Sequence, residues 1–451
     1  MNKNQKILEC GTYKQLLVRF SMPAISIMLV MVLYNITDTF FVGQMGDAGM
    51  LSAVSLCTPI FSILSGIGTL FGSGGCTLIT LSLGEGNHEQ VKMITSLCFL
   101  GSVVIGIIVA VTGVIWSDSL VYWLGATGNT KLYAARYFCI VIGGAPAMLF
   151  SNMICNVIRG DGSTVQSMAA HILGTIANIL LDAWFILVLH WGLEGAALAT
   201  VIGNIVSCIY LGLYIRKKPI YSLKRIRLLK NGKIVKKTVV LGLPLFCSTM
   251  LMSFSGIVSN HILIEYGEKT LAAHSVAGKV GLLISMLAMG ICMGLQPAIS
   301  YAYGKKHYQR IKDIVRKTAI LTFVIGFTLS GIGYIFRVPL MYAFINDKEV
   351  AAYGSIMAVG SLLAGPVVGW HQLCQTFLQA TENASAATMV AILEKGLIYL
   401  PVLFIMARVL GFYGVVFASP VTILISFAIG LLLSIQWYRK WPLHNAEDMA
   451  P

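Results

Sequence analysis

Charge is what this sequence has least of. Asp, Glu, Lys and Arg make up 11% of its 451 residues, less than half the roughly 25% of an average soluble domain. So few charges cannot cover a water-facing surface, which excludes a soluble enzyme, a disordered chain and a nucleic-acid-binding domain. The ten cysteines contain no Cys-x-x-Cys pair, and all except Cys10 lie inside apolar runs. They read as small buried hydrophobes rather than a disulfide frame or a zinc site. A Walker lysine, zinc-ligand spacing and a nucleophile elbow are also missing, and GSGG at 72–75 follows no strand. Neither an enzyme nor a cofactor is therefore expected. Alternating strand-like runs are absent too, which excludes a closed β-barrel.

What the sequence does have is apolar residues, 57% of the total. A helix needs about 20 of them in a row to cross a bilayer. Continuous runs occur at roughly 18–43, 52–83, 92–117, 131–158, 165–189 and 192–215. Six more follow at roughly 237–266, 271–303, 311–336, 349–379, 386–409 and 413–437. The expected fold is thus an all-α polytopic membrane protein of twelve transmembrane helices. The stretch Met1–Phe20 is polar and basic and the first apolar run is long, so no cleavable signal peptide is expected.

Basic residues then set the topology. Lys and Arg number 32 against 18 acids, a net charge of +14. With the amino terminus inside, 24 basic residues fall on the internal side and six on the other, while Lys279 and Lys395 lie within spans. That asymmetry is the positive-inside pattern of a multi-pass protein of the cytoplasmic (inner) membrane with both termini cytoplasmic. The charge faces a lipid bilayer and is no nucleic-acid footprint.

The chain also repeats itself. Pro23 pairs with Pro244, LSAVS at 51–55 with LAAHS at 271–275, and GEGNHEQVK at 84–92 with GKKHYQRIK at 304–312. IRGDGS at 158–163 falls opposite LQATEN at 378–383. Order and spacing persist through each half, at an offset of about 220 residues. The expected domains are a six-helix lobe at 1–215, a basic cytoplasmic linker at 216–237 and a second six-helix lobe at 238–451. Six spans per half give both bundles one orientation, related by a pseudo-two-fold axis along the membrane normal, an arrangement seen in transporters.

Three acids lie inside spans: Asp38, Asp182 and Glu394. A charge at the bilayer centre costs at least about 2.5–3.5 kcal/mol, so each is a candidate for a pathway or a buried pair. Asn178 precedes Asp182 by four residues and shares its helix face. Thr200 lies at a depth that Asp182 can share. Carboxylates, an amide and a hydroxyl at one depth suit H⁺ or Na⁺. The second half has no equivalent acids: Ser259 or Asn260 falls opposite Asp38, and Pro401 opposite Asp182. It offers instead a pairing of Lys279 with Glu394, and His261 and His371 as hydrogen-bonded core residues.

These residues resemble those of the multidrug and toxic compound extrusion (MATE) family, cation-coupled exporters of twelve helices. Pro23 ahead of Asp38, FVGQMGDAGMLSAVSL at 41–56, IRGDGS, ANILLD with GLEGAALAT, and GLQPAISYAYG at 294–304 carry the resemblance. It implies a first-lobe cation site at Asp38, Asn178, Asp182 and Thr200, and a helix bend at Pro23 when that site protonates. Family members with acids in helices 7 and 10 are not matched here, where those spans offer Ser255, His261 and His371. The implied activity is export of lipophilic organic cations by antiport with H⁺ or Na⁺, through alternating access. Gln44, Asn152, Asn156 and Met286 are named as lining of the substrate cleft, and a monomer is expected.

Two other readings stand beside this one. A flippase of lipid-linked precursors would want a basic cavity, where the first lobe offers acids. A polytopic membrane transferase would need paired metal-binding carboxylates or a catalytic His with an acid. The RGD tripeptide at 159–161 and the Asn35 and Asn383 glycosylation patterns fall in spans or on the cytoplasmic side, and read as coincidence.

Overall fold

The computed structural model describes residues 3–43, 48–123, 128–218, 221, 232–344 and 348–441, and among them there is no strand. Backbone groups cannot find water in hydrocarbon, so helices that satisfy their own amides are what such an apolar chain can form. The helices run in order α1 (Lys3–Cys10), α2 (Tyr13–Leu16), α3 (Met22–Gly43), α4 (Ala48–Gly84), α5 (His88–Ile115) and α6 (Ser117–Trp123). Then come α7 (Gly128–Gly143), α8 (Ala145–Gly160), α9 (Thr164–Asp182), α10 (Gly192–Arg216), α11 (Gly232–Ile264) and α12 (Glu268–Gly304). The last six are α13 (Tyr308–Ile335), α14 (Arg337–Phe344), α15 (Lys348–Ala380), α16 (Ala384–Ile392), α17 (Tyr399–Leu410) and α18 (Phe412–Arg439). Wider π-helical turns occupy Leu17–Ser21, Ala183–Val188 and Leu393–Leu397.

Among the described residues, 11 helices are long and apolar enough to cross a bilayer. A bent pair, Lys131–Gly143 and Ala145–Gly160, with a turn of 51° at its break, brings the number to 12 when counted as one span. The apolar run at 131–158, expected as one span, is thus bent at Gly144. Pro146 breaks it, because its ring lacks an N–H and excludes the carbonyl four residues back.

The chain forms two compact units, Met1–Lys6 with Ser26–Gly242, and Ile7–Ile25 with Leu243–Pro451. These units differ from the expected lobes at 1–215 and 238–451, since Ile7–Ile25 packs with the second half. Close backbone approach explains the grouping: a Cβ on Gly290 would stand 2.8 Å from the Ile25 Cα, and one on Gly294 would meet Phe20 and Ser21. Ser21 Oγ also donates to the Ile291 carbonyl at 3.2 Å. All ten cysteines are free and six are buried, as expected of plain packing residues.

The duplication is visible in backbone detail. After α4 the chain turns through Gly86 at φ 78°, and after α12 through Lys306 at φ 59°. After α8 it turns through Gly162 at φ 85°, and after α15 through Glu382 at φ 65°. Each turn closes with the same long bond: Asn87 N to Ser82 O, His307 N to Ala302 O, Ser163 N to Ile158 O and Asn383 N to Leu378 O, all 2.8–3.0 Å. This is the Schellman pattern that favours glycine in the left-handed position. The second half keeps the shape without the glycine.

Candidate cation site in the first unit

Helices α9 and α10 are pressed together along small residues. A Cβ on Gly174 would collide with Ser207 Oγ and stand 2.9 Å from the Gly203 carbonyl. A Cβ on Gly203 would lie 2.7 Å from the Gly174 carbonyl and 3.0 Å from the Asn178 Cβ. Ser207 Oγ donates to the Ala170 carbonyl at 2.8 Å and ties the pair further down. The helices are therefore antiparallel, with Gly174 level with Ser207 and Asn178 level with Gly203. One turn onward along this register, Asp182 comes level with Ala199 and Thr200.

Three of the four expected cation residues thus share one helix–helix seam and are buried there. Asn178 is 3% exposed, Asp182 1% and Thr200 8%. Asn178 has no hydrogen-bond partner for either amide atom among the described residues. A buried amide without partners costs about 1–3 kcal/mol, so a ligand that supplies them is favoured. Asn204 Nδ2 donates to the Thr200 carbonyl at 2.9 Å and holds that turn of α10. Asp182 closes α9, and the helix then widens at once into the π-helical turn Ala183–Val188. Such turns recur at functional sites because they redirect side chains without ending the helix.

The remaining expected residues are scattered. Asp38 lies on α3, and its side chain lies outside the described residues, as does all of Gln44. Pro23 is the second residue of α3, directly after the π-helical turn Leu17–Ser21. In that turn Met22 N bonds to the Leu17 carbonyl, five residues back. Met286 lies half-buried on α12 in the second unit. Asn152 is half-buried on α8, whereas Asn156 is buried one turn beyond it. Asn156 Nδ2 donates to the Asn152 carbonyl at 2.8 Å, and Arg159 donates to Asn156 Oδ1. Asn156 therefore supports its neighbour from beneath. Arg159 and Asp161 of the RGD tripeptide are themselves buried.

The second unit holds a charge cluster of another kind. Glu394, in the π-helical turn Leu393–Leu397, takes Lys395 Nζ at 2.6 Å and lies 3.5 Å from His371 Nδ1. Lys279, the partner expected from sequence, is exposed on α12 and makes no pair with Glu394. The adjacent Lys395 reaches the carboxylate on its own flexible stem. His371 is buried as expected, but His261 is exposed. A cavity of about 270 Å³ opens beside the pair, lined by Ser255, Ser259, Tyr399 and Thr422 among others. Sequence reasoning missed Lys395 as the partner, although its adjacency to Glu394 was the available signal. No group of three or more His, Cys, Asp or Glu residues among the described ones could hold a metal ion.

Comparison with known proteins matches this layout. The MatE family profile fits residues 23–184 and again 244–405, two stretches of equal length that begin at the paired Pro23 and Pro244. The chain is 30% identical over 405 residues to a "Multidrug export protein MepA" of Staphylococcus saprophyticus subsp. saprophyticus, covering 89% of each. It is 29% identical over 405 residues to a protein of the same name from Staphylococcus aureus, again over 89% of each. Among solved structures, the crystal structure of MATE in complex with MaL6 superimposes with a TM-score of 0.92 at 21% identity. That likeness covers 97% of this chain and 99% of the other, and concerns the fold.

Proposed function

The chain belongs to the MatE family, and from that premise we propose that it is a multidrug efflux antiporter driven by H⁺ or Na⁺. The observation that carries this reading is the joint burial of Asn178, Asp182 and Thr200 in the α9–α10 seam. A carboxylate, an amide without partners among the described residues and a hydroxyl offer oxygen ligands to a small hard cation or a place for a proton. Asp38 on α3 is the second carboxylate of the site. The relatives named for multidrug export support the transported class, and the acidic, apolar-walled lobe favours lipophilic organic cations. Binding of the ion neutralises Asp182 and gives Asn178 its missing partner. The changed charge and hydrogen bonding loosen α3 about Pro23 and release the substrate, in an alternating-access cycle. Both termini lie on the cytoplasmic side of the cell membrane in this reading, and the monomer is the working unit.

Ethidium efflux from cells carrying Asp182→Asn or Asp38→Asn tests the proposal. Both variants are expected to reach the membrane in normal amount and to export nothing above background. Normal efflux in both would end the coupling claim. Everted vesicles given a pH gradient and a Na⁺ gradient in separate experiments identify the ion.

A further inference from the structure

The amino-terminal segment forms one wall of a cavity of about 370 Å³ in the second unit, with α13 as the other wall. Its lining includes Cys10, Thr12, Tyr13, Arg310, Asp313 and Lys317. Arg310 sits at the junction and holds the segment in place: its Nη2 donates to the carbonyls of Leu8 at 3.0 Å and Gly11 at 2.9 Å. Its Nε is buried and has no hydrogen-bond partner among the described residues. Lys317, two helical turns further on, has its ammonium 6.0 Å from the Tyr13 ring and bridges to no described carboxylate. Two cationic heads thus face one hollow, and among the described residues no carboxylate lies within ion-pair distance of either. Six basic residues against one acid in the stretch 305–317 surround the site with positive potential.

The position narrows the ligand. Both walls lead directly into spans, Tyr13–Tyr34 on one side and Tyr308–Ile335 on the other. Leu16 and Ile314 supply an apolar edge just inside the cationic mouth. A group that puts a phosphate at the mouth and hydrocarbon along the edge satisfies both features. Guanidinium and ammonium groups at the basic end of a span are the usual partners of such head groups. We propose that this cavity binds the phosphate of an anionic phospholipid and so fastens the amino-terminal segment to α13. Asp313, one turn from Lys317 on the same wall, opposes the anion and limits its affinity.

The test is thermal unfolding of the purified full chain in detergent with added phosphatidylglycerol, phosphatidylcholine or sodium phosphate. Phosphatidylglycerol is expected to raise Tm by several degrees and phosphatidylcholine is not. Lys317→Gln should lose at least half of that shift, and Asp313→Asn should enlarge it. Lys312→Gln, which removes an exposed charge outside the cavity, should leave the shift intact. Arg310→Gln is a poor probe because it also frees the Leu8 and Gly11 carbonyls, so Lys317 decides. An equal shift with phosphatidylcholine, or equal effects of the Lys317 and Lys312 variants, would overturn the site. A Lys317-dependent shift with sodium phosphate alone would keep the phosphate site and overturn the lipid as its source.

Discussion

The two halves descend from one pattern, yet the buried carboxylates within their spans, Asp182 and Glu394, have different surroundings. In the first, Asp182 lies in a tight helix seam beside Asn178 and Thr200, both neutral. In the second, Glu394 has an ammonium at 2.6 Å and an imidazole at 3.5 Å. In the function proposed above, the attraction of the first carboxylate is kept for a mobile cation. One with a lysine attached has already spent it, and its gain is internal cohesion. In the proposed function the first seam is the exchangeable site and the second a fixed pair, and the difference lies in a few side chains.

That contrast can be broken in graded steps. The largest effect should come from Asp182→Asn, which abolishes export while a double change at Glu394 and Lys395 to Gln and Met leaves it measurable; dye efflux at matched expression reads both. Next comes Lys395→Met alone, which leaves buried Glu394 with His371 at 3.5 Å as its remaining partner among the described residues. It should cost about 3 kcal/mol, the lower end of the range for a buried pair because Lys395 is itself partly exposed. Thermal unfolding in detergent should show the loss, with the double variant recovering most of it.

Smaller effects separate the two copies of the turns. Lys306→Gly and Glu382→Gly restore the residue that the first half uses at Gly86 and Gly162. Each should stabilise by about 0.5–1 kcal/mol, since a left-handed backbone penalises a side chain more than glycine pays in entropy. The corresponding Gly86→Ala and Gly162→Ala should destabilise.

The smallest effect at working pH is an alkaline one in the first half. Burial by itself would lower the Lys218 pKa, but Asp161 at 2.8 Å reverses this and holds it above the usual lysine value. Burial, with Asp161 nearby, raises the Tyr221 hydroxyl well above its ordinary range. Both groups bind their protons more tightly folded than unfolded. Their contribution is complete below about pH 10 and declines as pH rises through the folded values. Tm recorded from pH 8 to 11 should fall at the alkaline end, and Lys218→Met should flatten that slope.

The membrane class, the repeat and the family were legible in the sequence because they rest on local patterns. Runs of apolar residues give spans, and Asn178 with Asp182 share a face by simple helix spacing. The partner of Glu394 was not legible, since an ion pair depends on where a long side chain lands after packing. Lys279 lies far from Glu394 in the sequence and Lys395 beside it, and the pair formed is the adjacent one within the π-helical turn Leu393–Leu397. The bend at Gly144 was visible in Pro146 but hidden by the unbroken hydropathy around it. Placement of Ile7–Ile25 with the second half had no signature, because glycine approach at Gly290 and Gly294 takes its meaning from what lies opposite.

That placement has a practical edge. Cutting the chain in its basic linker and producing the two pieces separately would leave each without a stretch it packs on, since Thr238 and Gly242 lie against Gly74 and Leu70 of the first half. The carboxyl-terminal piece would lack the stretch that covers Gly290, Gly294 and Ile291 and that Arg310 grips. Each piece on its own should therefore be less stable than the same residues within the whole chain.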